Sequence, residues 1–267
     1  MSRYPLLTFF GLVALLSWAV VVPLVLAAGQ PVLVGLIAFT PAPAAFLAAA
    51  LTGGRPGLRE LWRRTRLWRI SPRWYLIAIG LPLLVHVAAA SVSRLMGAPL
   101  SFPAGQFLAL TIFTLLLASG EEIGWRGFAI PRMIARFSPL AAAILFGVLH
   151  AAFHLPMYLL PLPSELRQAS PFWLFILLTV GFSIPGIWLF NRTRGSVPIA
   201  ILYHWAINMT VLLLSGAPRE MIAWLIPVSW MVTAGFILAL VGVNLQHDRY
   251  EVEGSGPAAV LISCVIL

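Results

Sequence analysis

Two adjacent carboxylates, Glu121 and Glu122, close the apolar run 106–120 in "LLLASGEEIGWRGF", in a chain with only eight acidic residues. Downstream, "HAAFH" holds His150 and His154, and "HWAIN" holds His204 and Asn208. A carboxylate in apolar surroundings can take a proton from water, and an imidazole can hold that water. Imidazole and amide N–H groups can donate to a developing oxyanion. One carboxylate with two imidazoles can also hold a metal ion. These are the parts of a hydrolytic site.

Helical spacing sorts them. Glu122 and Arg126 are four residues apart and face each other, which predicts an ion pair. Glu121 points about 100° away and has no expected partner nearby in sequence. This divides the pair into an anchor, Glu122 tied to Arg126, and a working carboxylate, Glu121. His150 and His154 share one helix face, and His204 and Asn208 share another. Each such pair alone could be a hydrogen bond between helices. Three segments presenting them together point to one polar cavity, because an unsatisfied polar group in lipid costs several kcal/mol. His86 has no polar companion at helical spacing and reads as a packed, hydrogen-bonded histidine.

The elements that must position these groups are membrane helices. The 267 residues are 61% hydrophobic and 9% charged, the composition of a polytopic membrane protein. A spanning helix needs about 20 apolar residues, and eight segments qualify: 4–28, 31–52, 73–97, 106–126, 139–161, 171–190, 197–215 and 221–243. The expected fold is therefore an all-α membrane bundle of about eight helices, one transmembrane domain over 1–246 followed by a tail at 247–267. The first segment is read as a retained span because its apolar run is too long for a secretory leader. Residues 106–120 supply only about 22 Å of helix, short of the roughly 30 Å hydrocarbon core, so the fourth helix is expected to run on to about Arg126.

All 17 basic residues are arginines and the formal charge is +9. Their placement argues against a nucleic-acid partner. Arg55, Arg59, Arg63, Arg64, Arg66, Arg69 and Arg73 crowd the connection 53–72, expected as a loop, which the positive-inside rule assigns to the cytoplasm. Arg3, Arg126, Arg132, Arg136, Arg192, Arg194 and Arg249 then fall on that side, leaving Arg94, Arg167 and Arg219 outside. Both termini are expected in the cytoplasm, in a cell (inner) membrane. The single cysteine, Cys264, excludes an internal disulfide and a cysteine-based metal site. Its setting, Cys264-Val265-Ile266-Leu267, formally fits a prenylation box, but such a match is easily met by chance in an apolar tail.

"EEIGWR", "HLP" and "HWAIN" together resemble the EExxxR, histidine and HxxxN motifs of the CPBP intramembrane proteases, the CAAX prenyl endopeptidase and Abi-type family. The resemblance covers 115–210. It implies hydrolysis of a peptide bond in a membrane-associated protein or peptide, with Glu121 as general base, His154 holding the water, His204 and Asn208 at the oxyanion, and Arg126 orienting the glutamates through Glu122. The middle motif has two solutions: the resemblance favours Phe153-His154-Leu155-Pro156, whereas counting depth from Pro139 favours His150, about 16 Å in against about 22 Å. His150 is kept as a supporting residue. A zinc requirement stays open, with Glu121, His154 and His204 as its candidate ligands. The competing functions are a transporter or proton relay built on the same groups, and a non-catalytic bacteriocin-immunity protein.

Overall fold

The computed structural model describes residues 4–161 and 170–245. Arg3, Arg167, Arg249 and the tail with its Cys264-Val265-Ile266-Leu267 terminus lie outside the described residues. Every described element is helical: α1 (Pro5–Ala28), α2 (Pro41–Thr65), α3 (Pro72–Leu95), α4 (Ala104–Ile134), α5 (Pro139–Phe153), α6 (Leu155–Leu159), α7 (Phe172–Arg192), α8 (Val197–Thr210) and α9 (Arg219–Val241). A 3₁₀ stretch, Pro31–Phe39, leads into α2 and another, Val211–Leu214, extends α8. Seven helices are long and apolar enough to cross a membrane, α5 being the shorter eighth.

The sequence explains where the helices start and stop. Prolines open α1, α2, α3, α5 and α8, where the missing N–H is no loss. Ser138 and Ser196 cap α5 and α8 by accepting from Ala141 and Ile199 backbone N–H groups. The fifth apolar segment does not continue to 161 as one rod. Pro156 cannot donate to the carbonyl four residues back and crowds it, so the α-helix stops at Phe153, His154 becomes its C-cap at φ −86° and ψ −3°, and α6 restarts beyond. The break is well bonded: the His154 N–H goes to Ala151 O at 3.0 Å, and Trp18 Nε1 donates to Phe153 O at 3.3 Å.

Two further expectations change. The fourth helix does not end near Arg126 but continues to Ile134, with a π-helical stretch at Trp125–Ala129 just after the glutamates. The arginine-rich connection expected as a loop over 53–72 is helical as far as Thr65, with one break at Gly54.

Packing brings α4 and α8 together in the middle, with α2 on α4, α3 on α8, and α7 lying against both α5 and α9. The α4–α2 contact depends on Gly120 and Gly124, which flank the glutamates. A Cβ on Gly124 would lie 2.4 Å from Pro41 Cβ, and one on Gly120 would lie 2.7 Å from Ala38 O. Two apolar cores result. One is formed by α1, α2, the end of α4, α5 and α7, around Phe9, Trp125, Phe128 and Phe146. The other is formed by α3, α7, α8 and α9, around Trp74, Tyr203 and Trp230.

Candidate active site

The helical spacing that pairs Glu122 with Arg126 survives in three dimensions: Arg126 NH1 donates to Glu122 Oε1 at 2.6 Å, both groups buried. Across from α8, His204 Nδ1 meets the same oxygen at 2.9 Å. A carboxylate oxygen only accepts, so His204 carries its Nδ1 proton here. Glu122 Oε2 is buried without a partner among the described residues. The Arg126 guanidinium also sits over the Phe146 ring at 4.6 Å.

Glu121 lies on the next face. Its Oε2 contacts His150 Nε2 at 3.0 Å and accepts from Trp125 Nε1 at 3.2 Å. Trp125 is four residues on, the same spacing as Glu122 to Arg126, so Glu121 does have a sequence-local partner, contrary to expectation. Both contacts fall on one oxygen; Oε1 makes no hydrogen bond to the described residues. Glu121 faces a cavity of about 790 Å³ together with His150, His154, His204 and Asn208. The five polar groups singled out by spacing thus share one space.

His150 is the hub of this cluster. Its ring lies 5.1 Å from that of His154 and 6.0 Å from that of His204, and Phe146 and Trp125 flank it at 5.4 and 5.9 Å. The residue expected in a supporting role is therefore the direct partner of Glu121. His154 is the next one out. Its Nδ1 bonds to His150 O at 3.0 Å, and because a carbonyl only accepts, the proton is on Nδ1 and Nε2 is left open.

The ligand atoms of Glu121, His150 and His154 all lie within 4.8 Å of one another. One carboxylate and two imidazoles are donors that zinc accepts with a fourth position open. The bond from His154 to a backbone carbonyl is the outer-shell contact that fixes a metal-binding tautomer; His150 Nδ1 is buried without such a partner among the described residues. The donor set fits a metal, and it differs from the set expected: His204 is engaged by Glu122, and His150 stands in its place.

Apart from this cluster and from His86 and Ser170, the cavity is apolar. Phe113, Leu117, Phe175, Phe182 and Ile226 line it, with Val34 and Gly35 from the 3₁₀ stretch before α2. Nothing in the local sequence marks these residues, since a lining side chain and a lipid-facing one have the same composition. Tyr203 is a further unanticipated contributor; its hydroxyl donates to Phe182 O at 2.9 Å and joins α8 to α7 behind His204.

His86 is fully buried. Trp230 Nε1 reaches its Nε2 at 3.4 Å, which leaves Nδ1–H for Thr210 Oγ1 at 2.7 Å.

The fold and site define a polytopic helical membrane protein with a buried carboxylate–histidine cluster opening on an apolar cavity. Part of the chain is similar to known proteins. Residues 103–210 match the family described as "Type II CAAX prenyl endopeptidase Rce1-like". The chain is also similar to the CAAX prenyl protease 2 of Methanococcus maripaludis, 31% identical over 113 residues, which is 41% of this chain and 42% of that relative. The region containing the site is thus similar to the CPBP/CAAX proteases, and the match spans less than half the length of the relative.

Proposed function

We propose that the chain is a multi-pass intramembrane endopeptidase that hydrolyses a peptide bond of a membrane-associated protein or peptide. The observation that carries this is Glu121: one carboxylate oxygen is held by His150 and Trp125, and the other is open, in a cavity shared with His154, His204 and Asn208. A base whose orientation is fixed by two bonds and whose second oxygen is unoccupied is arranged to accept a proton from water.

Glu121 Oε1 takes a proton from the attacking water as the water oxygen bonds to the scissile carbonyl carbon. The carbonyl π electrons move onto its oxygen. His154, through its open Nε2, orients the water, and His150 holds Glu121 in place. Asn208 donates to the oxyanion. His204 keeps its Nδ1 proton on Glu122 and donates from Nε2 when both ring nitrogens are protonated. When the oxyanion collapses, the C–N bond breaks and Glu121 returns its proton to the leaving amine. Arg126 acts through Glu122, which fixes the His204 ring. Glu121, His150 and His154 would hold a divalent ion such as zinc, which when bound acidifies a water and polarises the carbonyl.

The name of the Methanococcus maripaludis relative makes a prenyl-anchored CAAX-type peptide the first substrate to try. The arginine-rich segment from the end of α2 to the start of α3 is on the cytoplasmic side in this reading, as the charge bias predicts. The test is cleavage of a membrane-anchored peptide by purified protein in proteoliposomes, followed by mass spectrometry of the products. Glu121→Gln is expected to lower cleavage by about 10²- to 10⁴-fold while leaving the protein folded; cleavage at the wild-type rate by this variant overturns the reading.

A further inference from the structure

The segment Arg55–Arg73 lies away from the active site and is more than a topology signal. Leu33–Gly53 is already long enough to cross a bilayer, because seven 3₁₀ residues at about 2.0 Å and thirteen or so helical residues at about 1.5 Å reach about 34 Å. At that point Gly54 takes φ 57° and ψ −148°, a conformation essentially reserved for glycine. The helix then resumes through Thr65 with Leu58 and Leu61 packed on the protein core, while Arg55, Arg59, Arg63, Trp62 and Arg66 are exposed.

Most of the charge on this surface is uncompensated. Glu60 is its one acid, and both carboxylate oxygens are engaged, by Arg63 and Arg64 at 2.8 Å each. Arg55, Arg59, Arg66, Arg69 and Arg73 have no carboxylate within ion-pair distance among the described residues. Three of them sit over indole rings instead: Arg66 on Trp62 at 4.1 Å, Arg69 on Trp68 at 5.2 Å and Arg73 on Trp74 at 4.9 Å. Trp62 and Trp68 are 48% and 60% exposed. Indoles of this kind settle at the headgroup level of a bilayer. The segment is also pinned to the bundle: Ser196 Oγ, which caps α8, donates to Leu67 O at 2.6 Å, and Arg194 NH2 donates to Arg69 O at 3.2 Å.

We infer that Arg55–Arg73 forms a binding surface for anionic phospholipid headgroups, with the guanidinium groups of Arg66, Arg69 and Arg73 on the phosphodiesters and Trp62 and Trp68 seated among the glycerol backbones. Such a surface prefers anionic to zwitterionic lipid and weakens as salt rises. It is joined through Ser196 to the helix that carries His204 and Asn208.

The test uses the full chain in neutral detergent, titrated with phosphatidylglycerol or phosphatidylcholine, with retained lipid counted by native mass spectrometry. Phosphatidylglycerol is expected to bind in preference, and R66Q/R69Q/R73Q to weaken it about a hundredfold, from roughly 1 kcal/mol per arginine near a membrane surface. Arg94→Gln, about 31 Å away at the other end of α3, is the control and should leave binding unchanged. Equal retention of the two lipids overturns the proposal, as does a triple variant that binds like the wild type. So does displacement of the lipid by its water-soluble headgroup at equal concentration, which would make free phosphate the ligand. Should the triple variant fail to fold, the wild type decides: phosphatidylglycerol binding that does not fall between low and high salt also overturns it.

Discussion

Two histidine environments are buried in this bundle. Around His86 the bonding is closed: Trp230 reaches Nε2, Nδ1 reaches Thr210, and the Thr210 hydroxyl donates onward to Ala206 O at 2.6 Å. Around His150 it is open. Among the described residues His150 Nδ1 and Glu122 Oε2 are buried without partners, and Glu121 Oε1 and the His154 Nε2 accept no hydrogen bond. Buried polar groups in proteins are nearly always satisfied, and a saturated set such as that at His86 is glue between α3, α8 and α9. In the proposed mechanism this difference separates a structural histidine from a working one better than burial does, since both are buried.

The largest test of this contrast is Glu121→Gln. It removes the base without changing shape and should lower cleavage by about 10²- to 10⁴-fold, read from product formation in proteoliposomes. Arg126→Gln comes next. It strips the cation from a buried carboxylate, which typically costs about 3–5 kcal/mol, so unfolding in detergent should begin at a markedly lower temperature as activity falls. His150→Ala and His154→Ala then separate the two histidines. His150→Ala, which releases Glu121 and empties the centre of the ring cluster, should depress both melting temperature and turnover. His154→Ala, at the helix break, should depress turnover with a smaller thermal change; full activity in it would remove His154 from the mechanism. The smallest effect on activity is expected at His86. His86→Leu should cost about 1–3 kcal/mol by leaving the Trp230 N–H unpaired, while the cleavage rate of the folded fraction stays close to wild type. A large loss of turnover there would erase the contrast between the two environments.

Much of this was legible in one dimension. The apolar runs mark the seven helices long enough to span and the shorter α5, because a backbone in lipid has little alternative to helix. The polar residues within them stand out because they are few. Spacing of four residues identified the Glu122–Arg126 pair, and the same rule would have found Trp125 under Glu121 had an indole N–H been considered beside the charged groups. The HLP break was also readable, since Pro156 dictates it. The Arg55–Thr65 helix was harder, because its arginines mark a membrane boundary whether the chain there is coiled or helical.

By itself, then, the sequence determined the class of fold, the residues capable of chemistry and the faces on which local pairs meet, since helical geometry is set within a turn or two. Only the tertiary structure decided which histidine meets Glu121, that His204 turns to Glu122, and which apolar side chains wall the cavity. These depend on how α4, α5 and α8 are rotated and shifted against one another. That arrangement is set by contacts between residues far apart in sequence, such as Gly124 on Pro41 and Trp18 on Phe153, and no spacing along one helix contains it.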